Sequence, residues 1–212
     1  TLGLENNLVS GIRMGQDANA NLGESPLDTQ NWFSEATVTL ALPGSTAAIL
    51  GRQYLDTPLA YSEKWNVVAN SFDAAVFANS AIKDVTIIGA YVGKGNGTAG
   101  GYNAVAYDGL TTTFAKKGAY ALAVLSKLAG IPVNAWYYNL PSHATATWLD
   151  VTIPAGPVKV KAIYSGISVD GAKDSSATAL EISAKVTKGI NVSVAYSTVG
   201  DDGAAGFNTA TK

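Results

Sequence analysis

Apolar and polar residues alternate one by one through about ten short segments of this chain. In the clearest segment, Val158, Val160 and Tyr164 share one parity, whereas Lys159 and Lys161 have the other. Because successive side chains of a β-strand point to opposite faces, this pattern predicts strands with one apolar face and one polar face. The sequence has no run of 18 consecutive apolar residues, which would indicate a membrane-spanning helix. It therefore predicts an all-β fold.

The connections between the predicted strands alternate in length. A tight turn such as 188–189 contrasts with the long connections 55–71 and 94–117. Charged residues make up only 14% of the chain, although 47% of it is hydrophobic, whereas about 25% of a typical soluble domain is charged. Half-apolar strands with tight turns at one end and longer loops at the other are typical of an antiparallel transmembrane β-barrel. We therefore expect one barrel domain over residues 1–212, with external loops at 1–30 and 94–117.

The predicted barrel wall contains ten strands. They are expected at 32–42, 46–54, 72–80, 85–93, 118–128, 132–140, 144–153, 158–168, 177–187 and 190–199. Segment 118–128 also has the propensity of a helix, but a strand is favoured because its neighbours need a pairing partner. Each unpaired backbone group at an open edge in lipid costs several kcal/mol. Since nothing marks a seam between the first and last strands, we expect these strands to be part of a larger barrel.

Aromatic residues give a second indication of a membrane wall. Six of them have the parity of the lipid face and lie near the long-loop ends of their strands. They are Trp32, Phe72, Tyr91, Tyr120, Tyr164 and Tyr196. An aromatic girdle at a membrane interface accounts for this coincidence, whereas aromatic residues of a soluble β-sandwich are expected throughout its buried core. The pattern predicts contact with membrane lipid.

Charged residues of both signs have the opposite parity and are predicted to line a lumen. The candidates are Glu35, Arg52, Asp73, Lys127, Asp150, Lys159, Lys161, Glu181 and Lys185. The alternation is cleanest around the last four of these residues and poorer around Arg52, which shares its face with Leu50. If the protein were a soluble sheet, the same residues would be solubilising charges on its exposed face.

Other chemistry has little support in the sequence. The chain has no cysteine and a single histidine, His143, so a metal site with cysteine and histidine ligands is not expected. A net charge of −2 gives no basic surface for nucleic acid. Segment 95–100 matches the Gly-x-Gly-x-x-Gly dinucleotide pattern, but loop residues rather than a helix follow it. Calcium binding by acidic stretches such as 170–174 stays an open alternative, although these stretches lack the ligand spacing of a calcium-binding loop. No cofactor is expected.

Four segments resemble a known family. Residues 51–59, 70–74, 86–92 and 132–138 are similar to outer-membrane porins of the Campylobacter major-outer-membrane-protein type, related to the OprD-like family. The resemblance implies an 18-stranded barrel in the bacterial outer membrane, commonly a homotrimer, that passes ions and small hydrophilic solutes. It also implies that 55–71 is an inward-folded constriction loop.

The leading hypothesis is therefore a passive diffusion channel, which selects solutes by size and by the field of its charged wall. The loop residues Asp56, Glu63 and Lys64 are candidates for the narrow zone. Two alternatives stay open. One is a soluble or surface-exposed β-sheet protein with a binding or adhesive role. The other is a membrane hydrolase built on Ser142 and His143. Adjacent residues in a turn rarely form a nucleophile–base pair, so the protein is not expected to be an enzyme.

Overall fold

The computed structural model describes residues 1–9, 30–62, 69, 71–95 and 118–200. Within these residues the chain forms eleven β-strands and no helix that could span a membrane. The strands are β1 (Leu2–Val9), β2 (Gln30–Leu42), β3 (Thr46–Gln53), β4 (Phe72–Asn79), β5 (Val85–Gly95), β6 (Ala119–Leu128), β7 (Ile131–Leu140), β8 (Ala144–Ala155), β9 (Val158–Val169), β10 (Ser175–Thr187) and β11 (Ile190–Val199).

The hydrogen-bonded neighbours of the sheet follow the order of the chain, from β1 to β11. The pairs β1–β2 and β2–β3, and all successive pairs from β6 to β11, run antiparallel. The predicted all-β antiparallel fold is therefore confirmed. Ala119–Leu128, for which a helix was the alternative, is a strand.

The first strand differs from the prediction, which assigned residues 1–30 to an external loop. Leu2–Val9 instead pairs along β2, with a register shift between Glu5 and Asn6. Such a shift interrupts the strict alternation by which a strand is recognised, and the asparagines of this segment have low β propensity. The described wall therefore has eleven strands instead of ten. Residues 10–29 and 96–117 of the predicted loops lie outside the described residues.

The chain divides into two compact units. Unit 1 comprises Thr1–Phe77 and Ala90–Ala119, and unit 2 comprises Ala78–Gly89 and Tyr120–Lys212. Unit 1 contains β1 to β3 with parts of β4 and β5, and unit 2 contains most of the described residues from β6 onward.

In unit 1, the apolar face of β2 carries the exposed side chains of Val38, Leu40 and Leu42. The alternation fails at Ser34, because the register skips this residue: Glu5 pairs with Glu35, and Asn6 pairs with Phe33. Ser34 has the parity of Val38 in β2 but is fully buried. This β-bulge inserts one residue and so reverses the parity of the strand beyond it.

Buried residues of unit 1 form a small core on one side of β4 and β5. Phe72, Ala74 and Val92 are buried together, and Leu55 and Ala119 pack against them. Phe77 and Tyr91, which have the opposite parities in these two strands, are exposed. The core therefore lies on the face that points away from the exposed aromatic side chains.

Unit 2 has the most regular alternation. On its apolar face, Leu149 lies opposite Tyr164, Tyr164 lies opposite Thr178, and Leu180 lies opposite Tyr196. On its polar face, Asp150 lies opposite Ile163, and Lys161 lies opposite Glu181. We call the end of unit 2 with the turns 129–130, 156–157 and 188–189 its turn end. The end with the connections 141–143 and 170–174 is its loop end.

Candidate functional site

The polar face of unit 2 carries most of the predicted lumen charges. Lys161 occupies the position directly opposite Glu181, and Lys159 lies opposite Ser183 in the same register. Lys185 lies opposite Asn191, and Lys127 lies opposite Pro132. Antiparallel partners share a face, so the cross-strand register puts these charges on the same side of the sheet as Asp150. All four lysines lie in the part of their strands next to the turn end.

Asp150 is the buried charge of this face, with only 8% of its surface exposed. One carboxylate oxygen accepts a hydrogen bond from Trp148 Nε1 at 2.9 Å, and the other accepts one from Asn134 Nδ2 at 3.0 Å. A hydrogen bond to a charged group contributes about 1.5–3 kcal/mol, which offsets much of the cost of removing the carboxylate from water. Neutral donors therefore hold this carboxylate in a fixed orientation and leave its charge uncompensated.

Aromatic side chains occupy the next positions of the polar face toward the loop end. Trp136 lies opposite Trp148 across β7 and β8. The ring of Trp136 stacks on that of Tyr138, with centroids 5.8 Å apart and an interplanar angle of 9°. These residues and Asn134 were not among the predicted lumen residues. Alternation along β7 and along β8 could have indicated which face of each strand they occupy, but not that they meet Asp150.

The polar face of unit 1 carries two opposed carboxylates. Glu5 lies opposite Glu35 across β1 and β2. The Tyr54 hydroxyl donates a hydrogen bond to Glu5 Oε1 at 3.0 Å, and the Thr37 hydroxyl donates one to Glu35 Oε1 at 3.4 Å. Burial raises the pKa of the Tyr54 phenol, and the neighbouring Glu5 and Glu35 raise it further, although a hydrogen bond with Ser34 lowers it. The phenol is thus a neutral donor at neutral pH.

Arg52 and Asp73, both predicted to line the lumen, form an ion pair on the other face of unit 1. Arg52 Nε lies 2.8 Å from Asp73 Oδ1, and Arg52 Nη1 donates a hydrogen bond to the Phe33 carbonyl at 3.2 Å. The register pairs Arg52 with Ala36, which shares the parity of the exposed Val38. Asp73 likewise shares the parity of the exposed Phe77 in β4.

The face assignment of this ion pair therefore differs from the prediction. The register from Thr46 to Arg52 is unbroken, so Arg52 has the parity of Leu50, which lies opposite the exposed Val38. Its neighbour Gly51 has a φ of 114° and a backbone so close to the Ala36 carbonyl that a Cβ would collide with it. Only glycine is tolerated in such a position.

The first part of the predicted constriction loop folds into a short hairpin, which we call the 55–62 hairpin. The Leu55 N–H donates to Ser62 Oγ at 3.1 Å, and the Ser62 N–H donates to the Leu55 carbonyl at 2.8 Å. At the tip, the Thr57 hydroxyl donates to the Ala60 carbonyl at 2.6 Å. Asp56 is bridged to Tyr61 in this hairpin and is exposed. Glu63 and Lys64 lie outside the described residues.

Leu55 anchors the 55–62 hairpin to unit 1. Its side chain packs against Phe72, Ala74 and Val92, which point away from the exposed aromatic face. Next to the hairpin, Gln53 Nε2 donates a hydrogen bond to the Ala74 carbonyl at 3.1 Å. The base of the connection between β3 and β4 is therefore held on the side of the sheet opposite to the exposed aromatic side chains.

The predicted aromatic girdle is only partly reproduced in the positions of the side chains. Tyr91, Tyr120, Tyr164 and Tyr196 are exposed. Phe72 was expected on the same face but is only 4% exposed, because it lies on the opposite face and packs with Leu55, Ala74 and Val92. The side chain of Trp32 lies outside the described part of the structure. Tyr137, which the prediction omitted, is also exposed and lies opposite Thr147 on the apolar face of unit 2.

Ser142 and His143, the candidates for a hydrolase, occupy the loop end of unit 2. The His143 N–H donates to the Leu140 carbonyl at 2.9 Å, and the His143 carbonyl accepts a hydrogen bond from Asp170 N–H at 2.8 Å. These are backbone contacts that tie the connection 141–143 to the end of β9. Residues 96–100 of the glycine-rich segment lie outside the described residues, whereas Gly95 ends β5.

The structural comparison identifies similar folds among solved outer-membrane porins. OccK2 (OpdF) of Pseudomonas aeruginosa, solved with glucuronate, has a TM-score of 0.65 and 12% identity, with 82% of this chain and 50% of that chain covered. OccD3 (OpdP) of the same organism has a TM-score of 0.61 and 14% identity, with 82% and 45% covered. OccAB4 of Acinetobacter baumannii has a TM-score of 0.63 and 13% identity, with 81% and 46% covered.

No protein-family profile and no curated protein matches the sequence. The chain spans about half the length of the solved porins, as the covered shares of 50%, 45% and 46% state. These neighbours are porins of the OprD/Occ type. The described chain therefore has the antiparallel β-barrel fold of OprD/Occ-type outer-membrane porins.

Proposed function

We propose that the chain is part of an outer-membrane porin that allows passive diffusion of ions and small hydrophilic solutes. The observation that carries this proposal is the separation of the two faces of unit 2. Exposed apolar side chains such as Leu149, Leu180 and Ile182 occupy one face, and Asp150, Lys161 and Glu181 occupy the other. A wall between hydrocarbon and water requires this separation, because a charge on the lipid face costs several kcal/mol near the middle of the bilayer.

The geometry also supports a constriction made by the 55–62 hairpin. Its anchor residue Leu55 packs on Phe72 and Val92, on the face that would border the lumen. A segment held on this face narrows the lumen and leaves the strands of the wall in place. This is the role that the sequence resemblance implies for the connection 55–71.

The solute class and assembly are parts of the same proposal. OccK2 was solved with glucuronate, a small hydrophilic carboxylate, and the lysines on the polar face of unit 2 suit solutes of this class. The bacterial outer membrane, a homotrimeric assembly and the relation to the Campylobacter type follow from the sequence resemblance. They remain proposals for the complete porin.

Single-channel recording tests the proposed function. The natural full-length porin that contains this chain is added to a planar bilayer of phosphatidylcholine in 1 M KCl. We expect stepwise increases in current, because each inserted barrel adds one water-filled path. The same preparation after heat denaturation is the control and should give no steps. Folded, inserted protein without ion current would overturn the proposal.

A substitution at Arg52 tests the assignment of the ion pair with Asp73 to the apolar side of unit 1. Arg52→Met removes the guanidinium but keeps most of the aliphatic stem. We expect the reversal potential in a salt gradient to stay unchanged, because the ion pair with Asp73 lies on the apolar side of unit 1. The substitution leaves the Asp73 carboxylate without Arg52 on the apolar side, where a charge costs up to several kcal/mol, so the free energy of unfolding should fall by more than the about 1 kcal/mol of a solvent-exposed ion pair.

The matched variant Asp73→Asn should give the same result, since it breaks the same pair from the other side. Urea titration of refolded protein in lipid vesicles measures the stability of both variants. If Arg52→Met alone shifted the ion selectivity, the guanidinium would line the lumen and its placement on the apolar side would be wrong.

A further inference from the structure

Asp150 carries a buried negative charge on the polar face of unit 2, and its hydrogen-bond partners are neutral. Its carboxylate accepts hydrogen bonds from Trp148 Nε1 and Asn134 Nδ2. Among the residues that the structure describes, no lysine or arginine forms an ion pair with it. A buried charge is costly unless an opposite charge compensates it. A cationic group of a solute can therefore supply a compensation that the described wall does not provide.

Lys161 is the lysine nearest to Asp150 in register, but it belongs to another row of the sheet. The residue opposite Asp150 in β9 is Ile163, which is buried. Lys161 lies two residues nearer the turn end, where its row partners are Thr152 and Glu181. Diagonal neighbours of this kind are about 7–8 Å apart, farther than residues directly opposite each other. Lys161 therefore has an acidic partner of its own and leaves the carboxylate of Asp150 available.

Aromatic side chains border Asp150 on the side of the loop end. Trp148 precedes it by two residues in β8, and Trp136 lies opposite Trp148 in β7. Trp136 and Asn134 are only half-buried, so this border is partly accessible. The face of an aromatic ring attracts cations, and indole does so most strongly. A cation bound to Asp150 would therefore have a carboxylate on one side and an indole-rich border on the other.

The ligand set favours an organic ammonium ion over a metal ion. Ca²⁺ takes about six to eight oxygen ligands, and Mg²⁺ demands a nearly ideal octahedron of them. The described residues contain no group of three or more acidic, histidine or cysteine side chains that could hold a metal ion. An ammonium ion has N–H donors for the lone pairs of the carboxylate that Trp148 and Asn134 leave unused. Its alkyl part is suited to an aromatic border.

We propose that Asp150 binds organic ammonium ions on the polar face of unit 2, and that Trp148 and Asn134 are positioning residues that fix its carboxylate. The inference rests on the proposed function in one respect, because the polar face of unit 2 has to border water. It does not require a conducting pore. The site adds a class of cationic solutes to the carboxylates that the lysines of this face suit.

Titration with n-butylammonium chloride tests the site in the natural full-length porin that contains this chain, folded in detergent micelles. Potassium chloride keeps the ionic strength constant. Tryptophan fluorescence reports binding, because two of the four tryptophans, Trp136 and Trp148, lie beside Asp150. We expect a saturable change. Asp150→Asn keeps the size of the side chain but removes its charge, and it should weaken binding at least about tenfold, as the loss of a hydrogen bond to a charged group implies.

Trp148→Phe tests the positioning role, since it keeps an aromatic ring but removes the Nε1–H donor to Asp150. We expect weaker binding of n-butylammonium in this variant, with Trp136 as the reporter. The double variant of Trp148→Phe and Asp150→Asn should bind no more weakly than Asp150→Asn alone, because both substitutions act through the same carboxylate. An additive loss in the double variant would overturn the positioning role of Trp148.

Asp84→Asn is the matched control, because it makes the same chemical change at an exposed turn position. It should bind n-butylammonium like the natural protein. Heat-modifiable migration on gels identifies the folded fraction of each variant. The site would be overturned if Asp150→Asn bound as tightly as the natural protein, or if the natural protein gave no saturable response. Binding that depends on Asp150 in a protein that does not conduct ions would contradict the proposed function and support the site.

Discussion

Replacing Lys159 and Lys161 together by glutamate is expected to shift the ion preference of the channel strongly toward cations. Both lysines share the polar face of unit 2, and Lys161 lies directly opposite Glu181. Each substitution changes the wall charge by two units, and two acidic side chains would then lie opposite each other at positions 161 and 181. A fivefold rise in the cation-to-anion permeability ratio needs about 1 kcal/mol, the energy of two unit charges about 4 Å apart in water.

The reversal potential in a gradient of KCl measures this change. The effect should weaken at high salt, because the Debye length falls from about 10 Å at 0.1 M to about 3 Å at 1 M. The control Lys83→Glu with Lys188→Glu makes the same net charge change in two turns. If the reversal potential of the variant with both Lys159→Glu and Lys161→Glu stayed unchanged, these lysines would not line the lumen. An equal shift in the control would mean that net charge alone determines selectivity.

The sequence was most informative in unit 2, where the two faces of each strand have different surroundings. There the parity of Lys159, Lys161, Glu181 and Lys185 gave their common face directly, and the register agrees. A one-residue slip would turn every charge of a strand toward the apolar side, so alternation in such a wall is strongly constrained. The hydrogen-bond partners of Asp150 could not be read in this way, since they depend on which strands become neighbours.

Unit 1 was less predictable because a bulge, a strand with weak alternation and one packed loop obscure its pattern. Ser34 is an inserted residue in β2, and Arg52 shares the parity of the apolar Leu50, opposite the exposed Val38. Phe72 was assigned to the lipid face by its parity, but it is buried against Leu55 and Val92. Alternation along one strand does not reveal an inserted residue or a loop that folds over the sheet.

Excising the 55–62 hairpin is expected to raise the single-channel conductance about twofold, because the narrowest part of a pore dominates its resistance. The variant replaces residues 56–61 by two glycines. Leu55 and Ser62 are already joined by two hydrogen bonds, so a two-residue turn can connect them with little change of the strand ends. Leu55 keeps its packing against Phe72 and Val92, which should preserve the fold of unit 1.

Asp56→Asn provides the matched control, because it removes the charge of the hairpin but keeps its bulk. Asp56 is exposed, and we expect the conductance of this variant to stay close to that of the natural protein. Heat-modifiable migration on gels identifies folded barrels in both preparations. If the folded excision variant conducts like the natural protein, the hairpin does not narrow the lumen and the constriction must lie elsewhere. If Asp56→Asn alone reproduces the increase, the loop limits the current through its charge, and its bulk has little part in the resistance.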